Sequence, residues 1–185
     1  MSRTDQLIER YAHFVRLPWD TSLAGAQRVW FVVYDKTDER RIRARMDEYA
    51  IATEQAGHAW TRCDLTDSFA DWMSSHNYRE AYFEDPENLD LTLLDFEEHV
   101  VSTVRAALEK EEAGPDAVVA VSGIASLFGF MRVSALVKTL EPAIRGRLVV
   151  FFPGEHENNN YRLLDARDGW NYMAAPITAQ EGAGT

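Results

Sequence analysis

The sequence predicts an α/β fold, a single three-layer domain with a mostly parallel, Rossmann-like or P-loop-like central sheet and a C-terminal hairpin. Three apolar runs, at 29–34, 117–121 and 148–152, are too short for helices and too continuous for strands with one face in water. Helical segments separate these runs, and the last two end in glycine-bearing turns at 122–123 and 153–154. Such alternation is typical of a parallel sheet, whose ligand and partner sites lie at the carboxyl ends of the strands.

The first third of the chain predicts two helices and two strands. A helix over 4–17 has apolar residues at helical spacing and ends at Pro18. The apolar run 29–34 is the first central strand, and a second helix follows it and ends at Gly57. Residues 58–65 alternate weakly between apolar and polar, which indicates a strand nearer the edge of the sheet.

The rest of the chain predicts three further helices and a terminal hairpin. The elements are a short helix after Thr66 or Asp67, a long surface connection over 77–92, helices over 91–112 and 130–144, and a hairpin of 161–164 with 170–174. Pro142 falls near the end of the last helix and predicts that it stops early. We expect one domain over 1–178 and a disordered tail over 179–185.

Composition excludes several classes of function. The net charge of −11 disfavours a general electrostatic contact with nucleic acid, and the basic run at 40–45 is interpreted as a solvated helix face. The lone Cys63 excludes an internal disulfide and a cysteine-built zinc site. The sequence has no signal peptide and no apolar run near 18 residues, so we expect a cytoplasmic protein without membrane contact.

No catalytic motif stands out. The stretch 123–129 has the position of a phosphate-binding turn but lacks the lysine of a Walker A motif, and Ser122 lacks the flanking glycines of a nucleophile elbow. Glu155-His156-Glu157 is the one dense group of metal-ligand types, and we interpret it as a solvated loop. We therefore expect a protein that is not an enzyme and that carries no cofactor.

Two charged residues follow the central strands. Arg132 lies in an apolar run after the Gly123 turn, and Glu155 closes the 148–155 strand end. If the strands are parallel neighbours, both lie at one edge of the sheet, so we expect an Arg132–Glu155 ion pair across the loops. Such a pair has either a structural role or a role as an anchor for a partner or an anionic ligand. Arg162 is a further candidate for that role.

Motifs in the C-terminal third resemble those of a known family. They are a Gly-Ile turn at 123–124, a Phe-Met-Arg helix start at 130–132, Phe-Phe-Pro-Gly-Glu at 151–155, Arg-Leu at 162–163 and Asn-Tyr at 171–172. Together they resemble the BrxB family of BREX bacteriophage-exclusion systems. The positions that fit the family pattern are Gly123, Phe130, Arg132, Pro153, Gly154, Glu155, Arg162, Leu163, Asn171 and Tyr172. The chain departs from that pattern at Gly129, where proline is expected, and at 133–134, where Ser-His is usual.

The resemblance implies a non-catalytic adaptor or scaffold in phage defence. Its implied partners are a PglZ-like phosphatase-fold protein first and the AAA-type ATPase of these systems second, with no direct binding to nucleic acid. The alternative is a ligand-binding protein or hydrolase that uses a nucleotide or divalent metal at loops 123–130 and 155–168. The candidate partner-binding or structural residues are Gly123, Phe128, Phe130, Arg132, Glu155, Arg162 and Tyr172.

Overall fold

The fold is described from a computed structural model of residues 1–77, 79–166 and 169–179, without the side chains of residues 79, 82, 83, 88, 89 and 91. Seven strands are present in this part of the chain. They are β1 (Val29–Tyr34), β2 (Ala59–Asp64), β3 (Ala117–Ser122), β4 (Arg147–Glu157), β5 (Asn160–Leu163), β6 (Trp170–Asn171) and β7 (Ala175–Ile177). The three predicted central runs therefore lie in strands.

The main sheet is parallel, with the strand order β2-β3-β4-β1-β7. Every residue of β1 and β3 is buried, as expected for strands covered on both faces. In β2, exposed Arg62 and Asp64 alternate with buried Thr61 and Cys63, and this strand forms one edge of the sheet. The predicted fold class and the edge position of the 58–65 strand are confirmed.

β4 leaves the main sheet at its end and becomes one arm of a hairpin. Gly154–Glu157 pair antiparallel with β5, and β5 pairs with β6. The two-residue turn at Asn158 and Asn159 has φ values of 50° and 61°, a left-handed conformation that asparagine tolerates. The predicted terminal hairpin is confirmed, but β7 was missed because its three residues are a strand only through pairing with β1.

Seven α-helices surround the sheet in the described part of the chain. They are α1 (Arg3–Arg16), α2 (Glu39–Ala44), α3 (Met46–Gln55), α4 (Ser68–Ser75), α5 (Arg79–Glu84), α6 (Leu93–Leu108) and α7 (Val133–Leu140). One core lies between the sheet and α1–α3, and the other lies between the sheet, α4, α6, α7 and the hairpin. These two cores give the three layers.

Local chemistry explains the start of α1 and both ends of α7. The Ser2 side chain accepts from the Asp5 N–H, and the Asp5 carboxylate accepts from the Ser2 N–H, which caps α1. α7 ends at Leu140, two residues before Pro142, as the sequence predicted. It begins at Val133 rather than residue 130, because the preceding segment is a 3₁₀ turn followed by Gly129 at φ 84°.

Two predictions of local structure were wrong. The predicted surface connection over 77–92 contains α5 and a 3₁₀ helix, Pro86–Thr92, in which proline occupies the first turn and needs no N–H partner. The predicted single helix before Gly57 is divided at Arg45, whose backbone leaves the helical region at φ −109° and ψ 16°.

The predicted disordered tail over 179–185 lies outside the described residues, apart from Ala179. None of the helices in the described ranges has the length and apolar character that a bilayer crossing requires.

Candidate functional site

The Gly123 turn follows β3 and packs against the loop that follows β2. Gly123 has φ 78°, and an added Cβ would lie 2.4 Å from the Thr66 backbone nitrogen. Its 3₁₀ turn, Ile124–Leu127, is fastened by Ser126, whose hydroxyl donates to the carbonyls of Leu65 and Gly123 at 2.7 and 2.6 Å. The loop after β2 thus fills the space beside Gly123, which explains why glycine is required there.

Two phenylalanines flank Gly129 and face different surroundings. Phe130 is half-buried and stacks on Phe69 with ring centroids 4.3 Å apart, and it contacts the edge of Phe96 at 5.9 Å. Phe128 is 47% exposed. Phe130 therefore anchors the loop in the core, while Phe128 presents an aromatic ring to solvent.

An open cleft of about 410 Å³ lies between this loop and the hairpin. Its lining comprises Phe128, Gly129, Met131, Arg132, Val133, Ser134, Leu163, Ala166, Gly169 and Trp170. Arg132 is exposed, and its guanidinium has no hydrogen bond or ion pair with any described residue. The cleft therefore combines apolar and polar surface, and it includes a guanidinium that no carboxylate of the described structure neutralises.

The expected Arg132–Glu155 ion pair is wrong. Glu155 lies opposite Arg162 across the β4–β5 ladder, and their side chains approach to 3.6 Å. The hairpin places Glu155 in a separate, polar pocket with His156, whereas Arg132 lines the cleft beside Phe128. The sequence placed both residues after neighbouring strands correctly, but it did not reveal that β4 continues past the sheet.

The polar pocket on the hairpin has a volume of about 620 Å³. Its lining residues are Glu155, His156, Glu157, Asn158, Asn160 and Arg162. Burial lowers the pKa of His156, whose Nε2 has no hydrogen-bond partner among the described residues. No group of three or more His, Cys, Asp or Glu in the described ranges is arranged to hold a metal ion.

Tyr172 and Gly154 have structural roles in the hairpin. Tyr172 is buried, and its hydroxyl donates to Glu141. Burial, reinforced by the Glu141 carboxylate, raises the pKa of Tyr172. At Gly154 an added Cβ would lie 2.0 Å from the Arg162 carbonyl oxygen, so this glycine lets β5 approach β4. Both residues hold the hairpin in place.

The basic run at 40–45 is largely neutralised within the fold. Arg41 pairs with buried Asp38 at 3.2 Å, Arg43 contacts Asp64 at 3.6 Å, and Arg45 contacts Asp5 at 2.6 Å. Arg45 also pairs with Glu48. These contacts agree with the interpretation of the run as a solvated helix face rather than an open basic patch.

Sequence reasoning missed part of the cleft. Met131, Ser134 and Trp170 line it, but none of them was among the candidate site residues. Residues 128–134 meet Leu163, Ala166, Gly169 and Trp170 because the hairpin folds back onto the sheet, where the ring centroids of Trp170 and Tyr161 lie 5.4 Å apart. No spacing in the sequence signals that meeting.

The fold and this strand-end edge define a class: an α/β domain with an open, mostly parallel sheet and no Walker A motif. The comparison with protein families specifies it further. The family model described as BREX protein BrxB matches residues 67–177, which is more than half of the chain. The chain belongs to the BrxB family and is a component of BREX phage defence. No curated protein and no solved structure matches it.

Proposed function

We propose that this protein is a non-catalytic adaptor of a cytoplasmic BREX complex. Its leading partner is a PglZ-like phosphatase-fold protein, and the AAA-type ATPase is a further candidate. Family membership supports the BREX setting. The observation that carries the adaptor role is Phe128, an aromatic side chain that is 47% exposed at the rim of the cleft.

The loop that carries Phe128 is suited to rigid recognition. Phe130 stacks in the core and the Gly123 turn is fastened to the β2 end, so both sides of Phe128 are anchored. A preorganised loop loses little conformational freedom on binding. Exposed apolar surface with a polar rim is typical of protein interfaces, in which aromatic residues supply much of the binding energy.

Co-purification with the other proteins of the same defence system tests the proposal. Tagged wild-type chain is expected to retain the PglZ-like protein, and the mass of the complex gives its composition. Phe128→Ala is expected to weaken that complex about tenfold or more, the effect of losing an aromatic hot spot. Ile51→Ala is the matched control, because Ile51 is 51% exposed on α3 and outside the cleft. It is expected to leave the complex unchanged.

Two outcomes would contradict the adaptor role. One is a tagged chain that retains no component of the system, while cells lacking the chain still resist phage. The other is a thermal shift with a nucleotide or a divalent metal, which would favour the ligand-binding alternative at loops 123–130 and 155–168. DNA affinity at low salt is expected to be negligible, because much of the basic run is already ion-paired.

A further inference from the structure

The two edges of the main sheet differ in how readily they can accept another strand. β7 has three residues with Pro176 in the middle, and both its shortness and its proline hinder the addition of a strand. β2 has six residues without proline or glycine, and it pairs with β3 in an unbroken register without a bulge. No further strand of the described part of the chain lies beyond β2. The β2 edge is therefore the one at which the sheet can be extended.

The hydrogen bonds of β2 show which of its backbone groups are free. The N–H groups of Ala59 and Leu65 donate to carbonyl oxygens on the β3 side. Backbone groups of successive residues point to opposite sides of a strand, so the odd-numbered residues face β3. The N–H and C=O groups of Trp60, Arg62 and Asp64 therefore point outward, and no described backbone group hydrogen-bonds to them on that side.

We propose that the β2 edges of two copies of this chain pair antiparallel about a two-fold axis at Thr61. This register sets Trp60 of each copy opposite Arg62 of the other, and each such pair exchanges two backbone hydrogen bonds. A register centred on Arg62 uses the same outward groups but sets two arginines opposite each other, where like charges repel. A register centred on Cys63 pairs only residues 62–64 of the two strands.

The side chains of the paired positions are complementary. Trp60 and Arg62 lie on the same face of the sheet, so each guanidinium meets the indole of the other copy. One position further, Asp64 lies opposite His58, which stacks on Trp19 and whose buried Nδ1 has no hydrogen-bond partner among the described residues. Dimer formation costs Arg62 only its exposed contact with Asp64 at 3.4 Å, and such contacts contribute little.

The expected dimer is small and transient. α3 and α6 pack on the two faces of β2, so they lie beside their counterparts in the second copy. A strand edge with such flanking contacts is a small interface, and we expect a dimer at concentrations of about 10 μM and above. The net charge of −11 on each copy opposes association, but it is screened beyond about 8 Å at physiological ionic strength. The inference goes beyond the adaptor role and does not depend on it, since a dimer presents the same loops twice.

Complementary charge variants test this register. In sedimentation equilibrium over about 5–300 μM, the wild-type chain is expected to show a monomer–dimer equilibrium. Trp60→Arg sets two arginines opposite each other and Arg62→Glu sets a carboxylate against the indole, so each variant alone should weaken dimerisation about tenfold or more. An equimolar mixture should dimerise again, because the introduced arginine of one chain faces the introduced glutamate of the other. Arg16→Glu is the matched control, an exposed arginine at the end of α1, which packs near β7 at the opposite edge, and it should dimerise like wild type.

Arg62→Pro tests the backbone contact. Proline removes an outward N–H and leaves the β2–β3 hydrogen bonds intact, so the variant should fold and remain monomeric. If it fails to fold, the mixture of charge variants still decides. A wild-type chain that is monomeric at about 300 μM, a mixture that does not recover dimerisation, or stronger dimerisation by Trp60→Arg overturns the inference. So does an Arg62→Pro chain that loses the PglZ-like protein while wild type is monomeric, because the edge then belongs to a partner strand. The adaptor role is tested separately through Phe128.

Discussion

Replacing Gly123 with alanine is expected to destabilise the fold more than its backbone conformation alone requires. Gly123 has φ 78°, and Gly57 has φ 87°, so both are left-handed. They differ in surroundings: an added Cβ at Gly57 meets nothing within 4 Å, whereas at Gly123 it meets the Thr66 nitrogen at 2.4 Å and the Asp64 Oδ1 at 2.8 Å. A comparison of Gly57→Ala with Gly123→Ala therefore distinguishes the cost of backbone strain, which both variants share, from the cost of the steric clash at Gly123.

The structure gives the magnitude of the difference. Left-handed alanine costs about 1–2 kcal/mol at either site, and part of this is offset by the lower entropy of the unfolded chain. At Gly123 the β2-end loop must also move by about 1 Å to reach ordinary contact. That movement disturbs the hydrogen bonds from Thr66 to Asp64 and from Ser126 to Leu65. These three hydrogen bonds are weakened rather than lost, so at about 0.5 kcal/mol for each bond and about 1 kcal/mol of overpacking Gly123→Ala should lose about 2–3 kcal/mol more than Gly57→Ala.

Urea and thermal unfolding measure this difference. For a domain of this size, about 2–3 kcal/mol corresponds to a melting temperature about 4–12 °C lower for Gly123→Ala than for Gly57→Ala. Asparagine tolerates the left-handed region, so Gly57→Asn should be milder than Gly57→Ala, and Gly123→Asn should remain as damaging as Gly123→Ala. Equal destabilisation by the two alanine variants, or a Gly123→Asn protein as stable as wild type, would refute the steric explanation.

Three further predictions concern stability. Arg28→Lys should lower the free energy of unfolding by about 2–3 kcal/mol, because the Arg28 guanidinium donates to four backbone carbonyls and a lysine cannot form all four hydrogen bonds. An unchanged urea midpoint would contradict this prediction. Phe130→Ala should lose about 2–3 kcal/mol because Phe130 packs in the aromatic cluster, whereas Phe128→Ala should lose less than about 1 kcal/mol, and similar melting temperatures would disprove the distinction. The folded-state pKa of His156 lies below the unfolded value of 6.5, so the unfolded chain binds the proton more readily and stability falls as the pH drops below about 6.5. His156→Phe should therefore lose less stability than wild type between about pH 7.5 and pH 5.5 in urea titrations, and an identical pH dependence would show that His156 contributes nothing.

Much of the fold was predictable because it depends on local patterns. The run at 29–34 is apolar throughout, and the structure buries all six of its residues between two helical layers. Asn158 and Asn159 form the turn that their tolerance of positive φ indicates. Alternation over 58–65 correctly indicated an edge strand. In each case the structure that the local sequence favours is the one that the folded protein adopts.

The errors involve contacts between distant parts of the chain. Glu155 was paired with Arg132 because both follow neighbouring strands, but β4 continues into a hairpin that places Arg162 opposite Glu155. β7 has only three residues and is a strand because β1 provides an open edge. The Glu155–Arg162 contact and the β7–β1 pairing leave no periodic pattern in the sequence. Each depends on where the fold places a segment after a connection.

Residue pattern alone was sufficient to predict the layered α/β class, the central strands and the glycine turns. It also revealed the BrxB resemblance, which the family comparison confirms. Packing between distant segments makes Phe130 an anchor and leaves Phe128 exposed, and it leaves the Arg132 guanidinium without a partner among the described residues. It also brought Trp170 against the 128–134 loop to form the cleft. Burial and pairing depend on contacts between segments that are distant in the sequence. Phe128 and Phe130 have the same side chain, and only those contacts place one in the core and the other in water.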